Sequence, residues 1–257
     1  MDVKVFKIGG NVIDNPEALD SFLGEFARVE GPKVLIHGGG KEATRLCKRM
    51  EIPTQMIDGR RVTDAATLEV VTMVYAGLIN KRVVSKLQAL GCDAIGLTGA
   101  DANVITASKR PVRPVDYGFV GDISVSGVNG QRILSLLEAG LTPVFCAITH
   151  DGNGNLLNCN ADSIASAVAK GLARLADTDL IFCFEQPGVM RDINDPASVI
   201  ASITRESYGA LRADGVVTDG MIPKIENALE AVDSGVRSVT IRRSEGILIP
   251  GGTRISH

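Results

Sequence analysis

Three glycine-bearing segments each carry a lysine, and together they define the chemistry open to this chain. They read Lys7-Ile8-Gly9-Gly10-Asn11, His37-Gly38-Gly39-Gly40-Lys41 and Thr218-Asp219-Gly220-Met221-Ile222-Pro223-Lys224. Glycine lets backbone N–H groups close on an anion, and a helix N-terminus adds positive potential there. Lys7 ends an apolar strand beside two glycines, where an unpaired ammonium is costly. Lys224 falls near the first turn of a helix that Thr218 and Asp219 can cap, a place that disfavours a cation unless an anion binds. A lone lysine there reads plainly as a solvated side chain. The lysines and glycine turns together point to a highly charged phosphate. Asn158-Cys159-Asn160-Ala161-Asp162 is a fourth candidate. Asn158 or Asn160 is in its ordinary reading a helix cap, and Asp162 complements the helix dipole. In the functional reading Asp162 faces both lysines and holds their ammonium groups.

These residues need strands and helices to place them. Residues 3–8, 34–36, 93–97, 143–148, 180–184 and 238–241 are short apolar runs and read as strands. Helical spacing covers residues 16–28, 41 to about 50, 131–139, 161–175, 205–213 and 220–233. A longer helix runs from Thr63 or Asp64 towards Leu90 and ends at Gly91. Its apolar positions, among them Leu68, Val71, Tyr75, Leu78, Val83 and Leu87, spread widely around the axis, which suits burial on two sides and a subunit interface. Residues 98–126 suggest hairpins, and Asp151-Gly152-Asn153-Gly154-Asn155 is a strong turn. Strands alternating with helices imply an α/β fold, a three-layer αβα sandwich around a mostly parallel central sheet. A soft boundary near residues 150–157 gives one domain, 1–257, with two lobes of about 1–155 and 156–257 sharing that sheet.

With 257 residues, 45% of them hydrophobic, the chain can bury one large core. A formal net charge of −3 and 4% aromatic residues leave neither a basic field nor stacking platforms for nucleic acid, so none is expected as a partner. Five cysteines, an odd number without a CxxC pair, fit a reducing cytosol rather than a disulfide scaffold or zinc knuckle. No apolar run reaches membrane length, and the start of the chain has no signal-peptide pattern, so a cytoplasmic protein without membrane contact is expected. His37, His150 and His257 are scattered, and no metal site is expected. His37 is expected to pack or hydrogen-bond at its strand end, and Cys159 to be core packing.

Commoner phosphate motifs fit poorly. A P-loop would need glycine at Leu35 and Ser or Thr at Glu42. Gly38-x-Gly40-x-x-Ala43 does match the glycine part of a dinucleotide fingerprint, with Asp58 suitably spaced downstream for a ribose. That reading explains neither Lys7 nor Lys224.

Taken together the segments resemble the amino-acid kinase superfamily, and within it the acylglutamate kinases. The likeness spans nearly the whole chain. It adds Asp58-Gly59-Arg60-Arg61-Val62-Thr63-Asp64, Gly96-Leu97-Thr98-Gly99-Ala100-Asp101, Tyr117-Gly118-Phe119-Val120-Gly121-Asp122 and Gly252-Thr253-Arg254-Ile255 to the four segments above. The resemblance implies ATP-dependent phosphorylation of the γ-carboxylate of N-acetyl-L-glutamate in arginine biosynthesis. Lys7 and Lys224 would stabilise the transferring phosphoryl group and the leaving ADP, and Asp162 would orient both lysines. Gly10, Gly38 and Gly39 would offer N–H groups to phosphates or to the reacting carboxylate. Arg61 and Asn158 would bind the α-carboxylate and acyl-amide region. Gly9, Asn160, Glu185 and Gly188 would lie along the nucleotide. Mg²⁺ would accompany ATP on its phosphates. By the same resemblance the long helix would build a homodimer, and a chain starting directly at its first strand would be insensitive to arginine.

Two positions depart from the family pattern. Glu185 stands where the family usually has Asp on the nucleotide side. Arg60 stands where an apolar residue usually precedes the substrate arginine. Arg60 either turns to solvent or meets an acyl group with its own carboxylate, such as that of N-succinyl-L-glutamate. Rival readings are a sister kinase acting on aspartate, glutamate, UMP or carbamate, a nicotinamide-binding dehydrogenase, and a non-catalytic ligand sensor.

Overall fold

Buried apolar runs alternate with amphipathic helices along this chain, and each run must pair with a neighbour to satisfy its backbone. A computed structural model describes residues 1–217 and 221–257. The strands are β1 (Asp2–Ile8), β2 (Lys33–His37), β3 (Met56–Ile57), β4 (Arg60–Arg61), β5 (Ala94–Leu97), β6 (Ser108–Lys109) and β7 (Gly121–Asp122). Then come β8 (Thr142–Phe145), β9 (Ile148–His150), β10 (Leu156–Asn158), β11 (Asp177–Phe184), β12 (Ser202–Ile203), β13 (Ser238–Arg243) and β14 (Thr253–Ile255). The helices are α1 (Gly10–Asp14), α2 (Pro16–Arg28), α3 (Gly40–Arg49), α4 (Ala65–Thr72), α5 (Asn80–Ala89), α6 (Gly130–Glu138), α7 (Ala161–Ala173), α8 (Arg205–Ala213) and α9 (Ile222–Asp233).

Eight strands form one sheet in the order β12-β14-β13-β11-β1-β2-β8-β5. All its pairings are parallel except β13 with β14. Helices α6, α7 and α9 pack on one face, and α2 and α5 on the other. Strand alternation explains the division at β1. Phe6 meets Phe26 of α2 edge-on at 5.3 Å between ring centroids, whereas Lys7, one residue on, points to α7. The expected mostly parallel sandwich is therefore the fold.

Several local expectations change. The predicted strand 143–148 breaks after Phe145, and Ile148 instead opens the antiparallel β9–β10 hairpin. The Asp151 carboxylate closes that hairpin's turn by accepting from the Asn153 and Asn155 backbone N–H groups. Strands β12 and β14 are too short to show a period in the sequence. The long helix is continuous, but its middle, Met73–Ile79, is π-helical. Asp64 caps it, accepting from Thr67 N at 2.7 Å. Asp58 and Gly59 form the two-residue turn between β3 and β4, with φ of 47° and 72°, as a type I′ hairpin requires. The dinucleotide reading of Asp58 loses its basis, because the residue sits in a hairpin turn beyond α3. The expected caps Thr218 and Asp219, and Gly220 at the start of the predicted helix 220–233, lie outside the described residues.

Candidate active site

Adjacent parallel strands deliver the first two glycine turns side by side. β1 ends at Ile8 and runs through Gly9 into α1; β2 ends at His37 and runs through Gly38 and Gly39 into α3. A β-carbon on Gly38 would lie 4.0 Å from Gly10 N, so the turns face one another. Gly39 has φ +153°, and a β-carbon there would come within 2.2 Å of Ile79 Cδ1 and 3.2 Å of the Tyr75 ring. Both of those side chains hang from the π-helical stretch. Only glycine lets the second turn pass under that helix.

His37 anchors the turn from beneath. It is fully buried, with Nδ1 2.8 Å from Gly38 O and Nε2 3.1 Å from Asn80 Nδ2. A carbonyl can only accept, so Nδ1 carries the proton and Nε2 accepts from Asn80. Asn80 also donates to Val144 O at 2.9 Å. Burial pushes the His37 pKa down to about 4, so the ring is neutral at physiological pH.

Lys7 is buried, and its Nζ lies 2.7 Å from Asp162 Oδ1 in the first turn of α7. Asn160 caps that helix, its Oδ1 accepting from the N–H groups of Asp162 (2.8 Å) and Ser163 (3.2 Å). Lys224 sits in the first turn of α9 and is exposed. Among the described residues it makes no ion pair with Asp162 or with any other carboxylate. Its Nζ lies 4.2 Å from the centre of the Phe184 ring, and Lys7 Nζ lies 5.0 Å from the same point. Asp162 thus holds one lysine rather than the expected two, because α9 brings Lys224 onto Phe184 at the end of β11.

Arg61 is the most unusual side chain of the site. It is 6% exposed, and Nη2 donates to Gly40 O and Thr44 Oγ1, both at 2.8 Å. Its Nε and Nη1 are buried and have no partner among the described residues. Buried guanidinium donors without acceptors are costly, and a carboxylate is their natural complement. Arg61 borders a cavity of about 280 Å³ that also meets Lys7, Gly10, Gly38, Gly39, Asn158 and Asp162. Asn158 is buried there and donates to Thr63 Oγ1 at 3.0 Å. Arg60 lines the same cavity from the β3–β4 hairpin, and also a larger one of about 1050 Å³ beside α7 and α9. Among the described residues Arg60 has no hydrogen-bonded or ionic partner.

A third cavity of about 470 Å³ adjoins the glycine turns, with Gly9, Gly10, Lys41, Phe184 and Glu185 on its walls. The Glu185 carboxylate accepts from Asn11, whose side-chain oxygen accepts from Lys41. Gly188 is the one predicted site residue placed elsewhere. It is buried, and a β-carbon there would come within 2.7 Å of Thr253 Oγ1 and 2.9 Å of Val199 Cγ1, so its glycine serves packing. Cys159 is a packing residue too: its thiol lies 3.0 Å from Thr149 Oγ1, and burial raises its pKa to about 11. His37 hydrogen-bonds at its strand end as expected, whereas Phe184 and Asn80 belong to the site but escaped the sequence. An aromatic or asparagine on a buried element ordinarily signals core, and only the spatial neighbours show otherwise.

Comparison with known proteins adds to this geometry. Residues 2–243 match the model of the amino acid kinase family. An acetylglutamate kinase of Cytophaga hutchinsonii is 52% identical over 95% of this chain and 92% of its own length. One from Bacteroides fragilis is 50% identical over 98% and 95%, and one from Methanopyrus kandleri 41% identical over 98% and 99%. Among solved structures, a Streptococcus mutans protein superposes with a TM-score of 0.79 at 29% identity, covering 99% of this chain and 98% of its own. Carbamate kinase from Giardia lamblia bound to AMP-PNP superposes at 0.70 with 16% identity, covering 98% and 97%, a likeness of fold.

Proposed function

The chain belongs to the amino acid kinase family, and on that premise we propose that it phosphorylates the γ-carboxylate of N-acetyl-L-glutamate with ATP, a step of arginine biosynthesis. One observation carries the substrate side: Arg61, a buried guanidinium with two nitrogens unpartnered among the described residues, lies on the wall of the cavity that holds the Lys7–Asp162 pair. An α-carboxylate on Arg61 would direct the side-chain carboxylate of the same molecule towards the glycine turns, with the acyl amide near Asn158. That carboxylate is ionised at neutral pH, so no general base is needed. The obstacle is repulsion between two anions, and alignment with charge stabilisation overcomes it. Lys7, fixed by Asp162, and Lys224 would stabilise the transferring group, with the N–H groups of Gly10, Gly38 and Gly39.

ATP would lie towards the later part of the chain, about residues 156–257, with Gly9 and Gly10 near its phosphates, Glu185 along the nucleotide and Asn160 beside Asp162. The acyl substrate would lie towards residues 1–155. Mg²⁺ would arrive on the phosphates of ATP, held mostly by phosphate oxygens and water. Five free, buried cysteines support a reducing cytosol. No helix among the described residues is long and apolar enough to cross a membrane. Met73, Leu78 and Leu90 stay exposed along the long helix, which supports a homodimer through that surface.

A coupled ADP-release assay with ATP, Mg²⁺ and N-acetyl-L-glutamate tests the reading. Turnover should collapse in Lys7→Ala and Lys224→Ala while thermal unfolding stays cooperative; absence of turnover by the unaltered enzyme would end the proposal. A second acyl group stays in play because Arg60 lines the proposed substrate cavity and its side chain has no partner among the described residues. N-succinyl-L-glutamate would give that guanidinium a carboxylate. Comparing kcat/KM for the two substrates decides. An acetyl preference that Arg60→Leu leaves unchanged removes the succinyl reading.

A further inference from the structure

We propose that Phe184 is a positioning residue of the phosphoryl-transfer site, whose ring face holds the Lys224 ammonium in place beside Lys7. The inference rests on the kinase reading and extends it to a residue that reading leaves unused. Lys224 Nζ is 4.2 Å and Lys7 Nζ 5.0 Å from the ring centre, both inside the range at which an aromatic face attracts a cation. The two nitrogens therefore lie no further apart than the sum of those distances. Lys7 has a carboxylate to hold it, and among the described residues Lys224 has none. An exposed lysine with four rotatable bonds would otherwise sample many positions, and ordering it on ATP would weaken binding.

The ring is a fixed platform. Phe184 closes β11 in register with Arg243 of β13, and Phe182 stacks near it at 6.1 Å with a 15° angle between planes. A ring face attracts ammonium without neutralising it. The lysine thus keeps its full charge for the phosphates, which an Asp or Glu in the same place would partly cancel. Phe184 also borders both the cavity with Gly10 and Glu185 and the one with Asp162 and Lys224, so it stands where the two meet.

Fluorination of the ring tests this without altering its shape. Phenylalanine with one, two or three fluorine atoms, placed site-specifically at residue 184, progressively weakens the negative face. ATP affinity read by calorimetry, which requires no acyl substrate, should fall in graded steps, reaching about tenfold with three fluorines. Phe184→Tyr should retain wild-type affinity, and Phe184→Leu should lose about as much as the trifluoro ring, with unchanged thermal unfolding. A flat series, or affinity that rises with fluorination, would overturn the inference. Turnover of N-acetyl-L-glutamate by the unaltered enzyme is read separately. Its absence would remove the kinase reading, whereas a flat series in an active enzyme would remove only the role of Phe184.

Discussion

Arg61→Met should abolish recognition of the acyl substrate and leave the fold nearly as stable. Arg61 makes two hydrogen bonds through Nη2 and buries Nε and Nη1 without partners. Each bond to a charged group stabilises by about 1.5–3 kcal/mol, and each unmet buried donor costs about 1–3 kcal/mol or more when charged. The terms oppose one another and nearly cancel. Methionine of similar reach fills the space, and Gly40 O keeps a partner because Thr44 Oγ1 donates to it at 2.9 Å. Stability should therefore stay within about 2 kcal/mol of the unaltered protein. On the proposed binding of the substrate carboxylate by Arg61, that carboxylate would lose two charge-assisted bonds, about 3–6 kcal/mol, and KM for N-acetyl-L-glutamate should rise roughly 100-fold or more. KM for ATP should hardly move. Steady-state kinetics with each substrate varied, together with urea denaturation, reads both quantities. An unchanged acyl-substrate KM would refute the assignment of Arg61. A stability loss above about 4 kcal/mol would show that its guanidinium is a satisfied structural group instead.

His37 sets a pH dependence. Its folded pKa of about 4 lies below the ordinary 6.5, so between those values the unfolded chain binds a proton that the folded one refuses. Stability should fall by about 1.4 kcal/mol per pH unit over that window, about 3 kcal/mol in all, and be unaffected by this group above pH 6.5. Denaturation at pH 7, 5.5 and 4.5 checks the slope, and an equal slope in His37→Gln would contradict it. Gly39→Ala drives a β-carbon into Ile79 and should cost about 1–3 kcal/mol together with most of the turnover. Full stability with full activity would show that the turn yields freely. Equilibrium sedimentation should find a dimer, and substituting Leu78 by glutamate should shift it towards monomer, since a buried carboxylate would face an apolar partner surface; a monomer at every concentration would discard the interface on the long helix.

Much of the fold could be read along the chain, because periodicity, caps and turn residues are local. Asn160 and Asp64 act as the caps their spacing announces, and the strands before Gly9 and Gly38 end where glycine allows. The Asp58-Gly59 pair was equally local and needed only the hairpin rule that two positive φ angles supply. Short β12 and β14 were hidden, since strands of two or three residues show no period and gain their pairing from partners far along the chain.

The site divides in the same way. Lys7 and Lys224 stand out by residue type at chain positions where such groups are costly, and cost is visible locally; Asp162 reads equally as a dipole complement, and Arg61 enters only through the family resemblance. Which of them touch was decided by the order of strands and the seat of α9. Asp162 holds Lys7 and leaves Lys224 to Phe184, and Gly188 packs against Thr253 away from the cavities. Chemistry is a property of side chains and so is written in sequence. Contact between residues a hundred or more positions apart depends on how whole elements stack, and only tertiary structure fixes that.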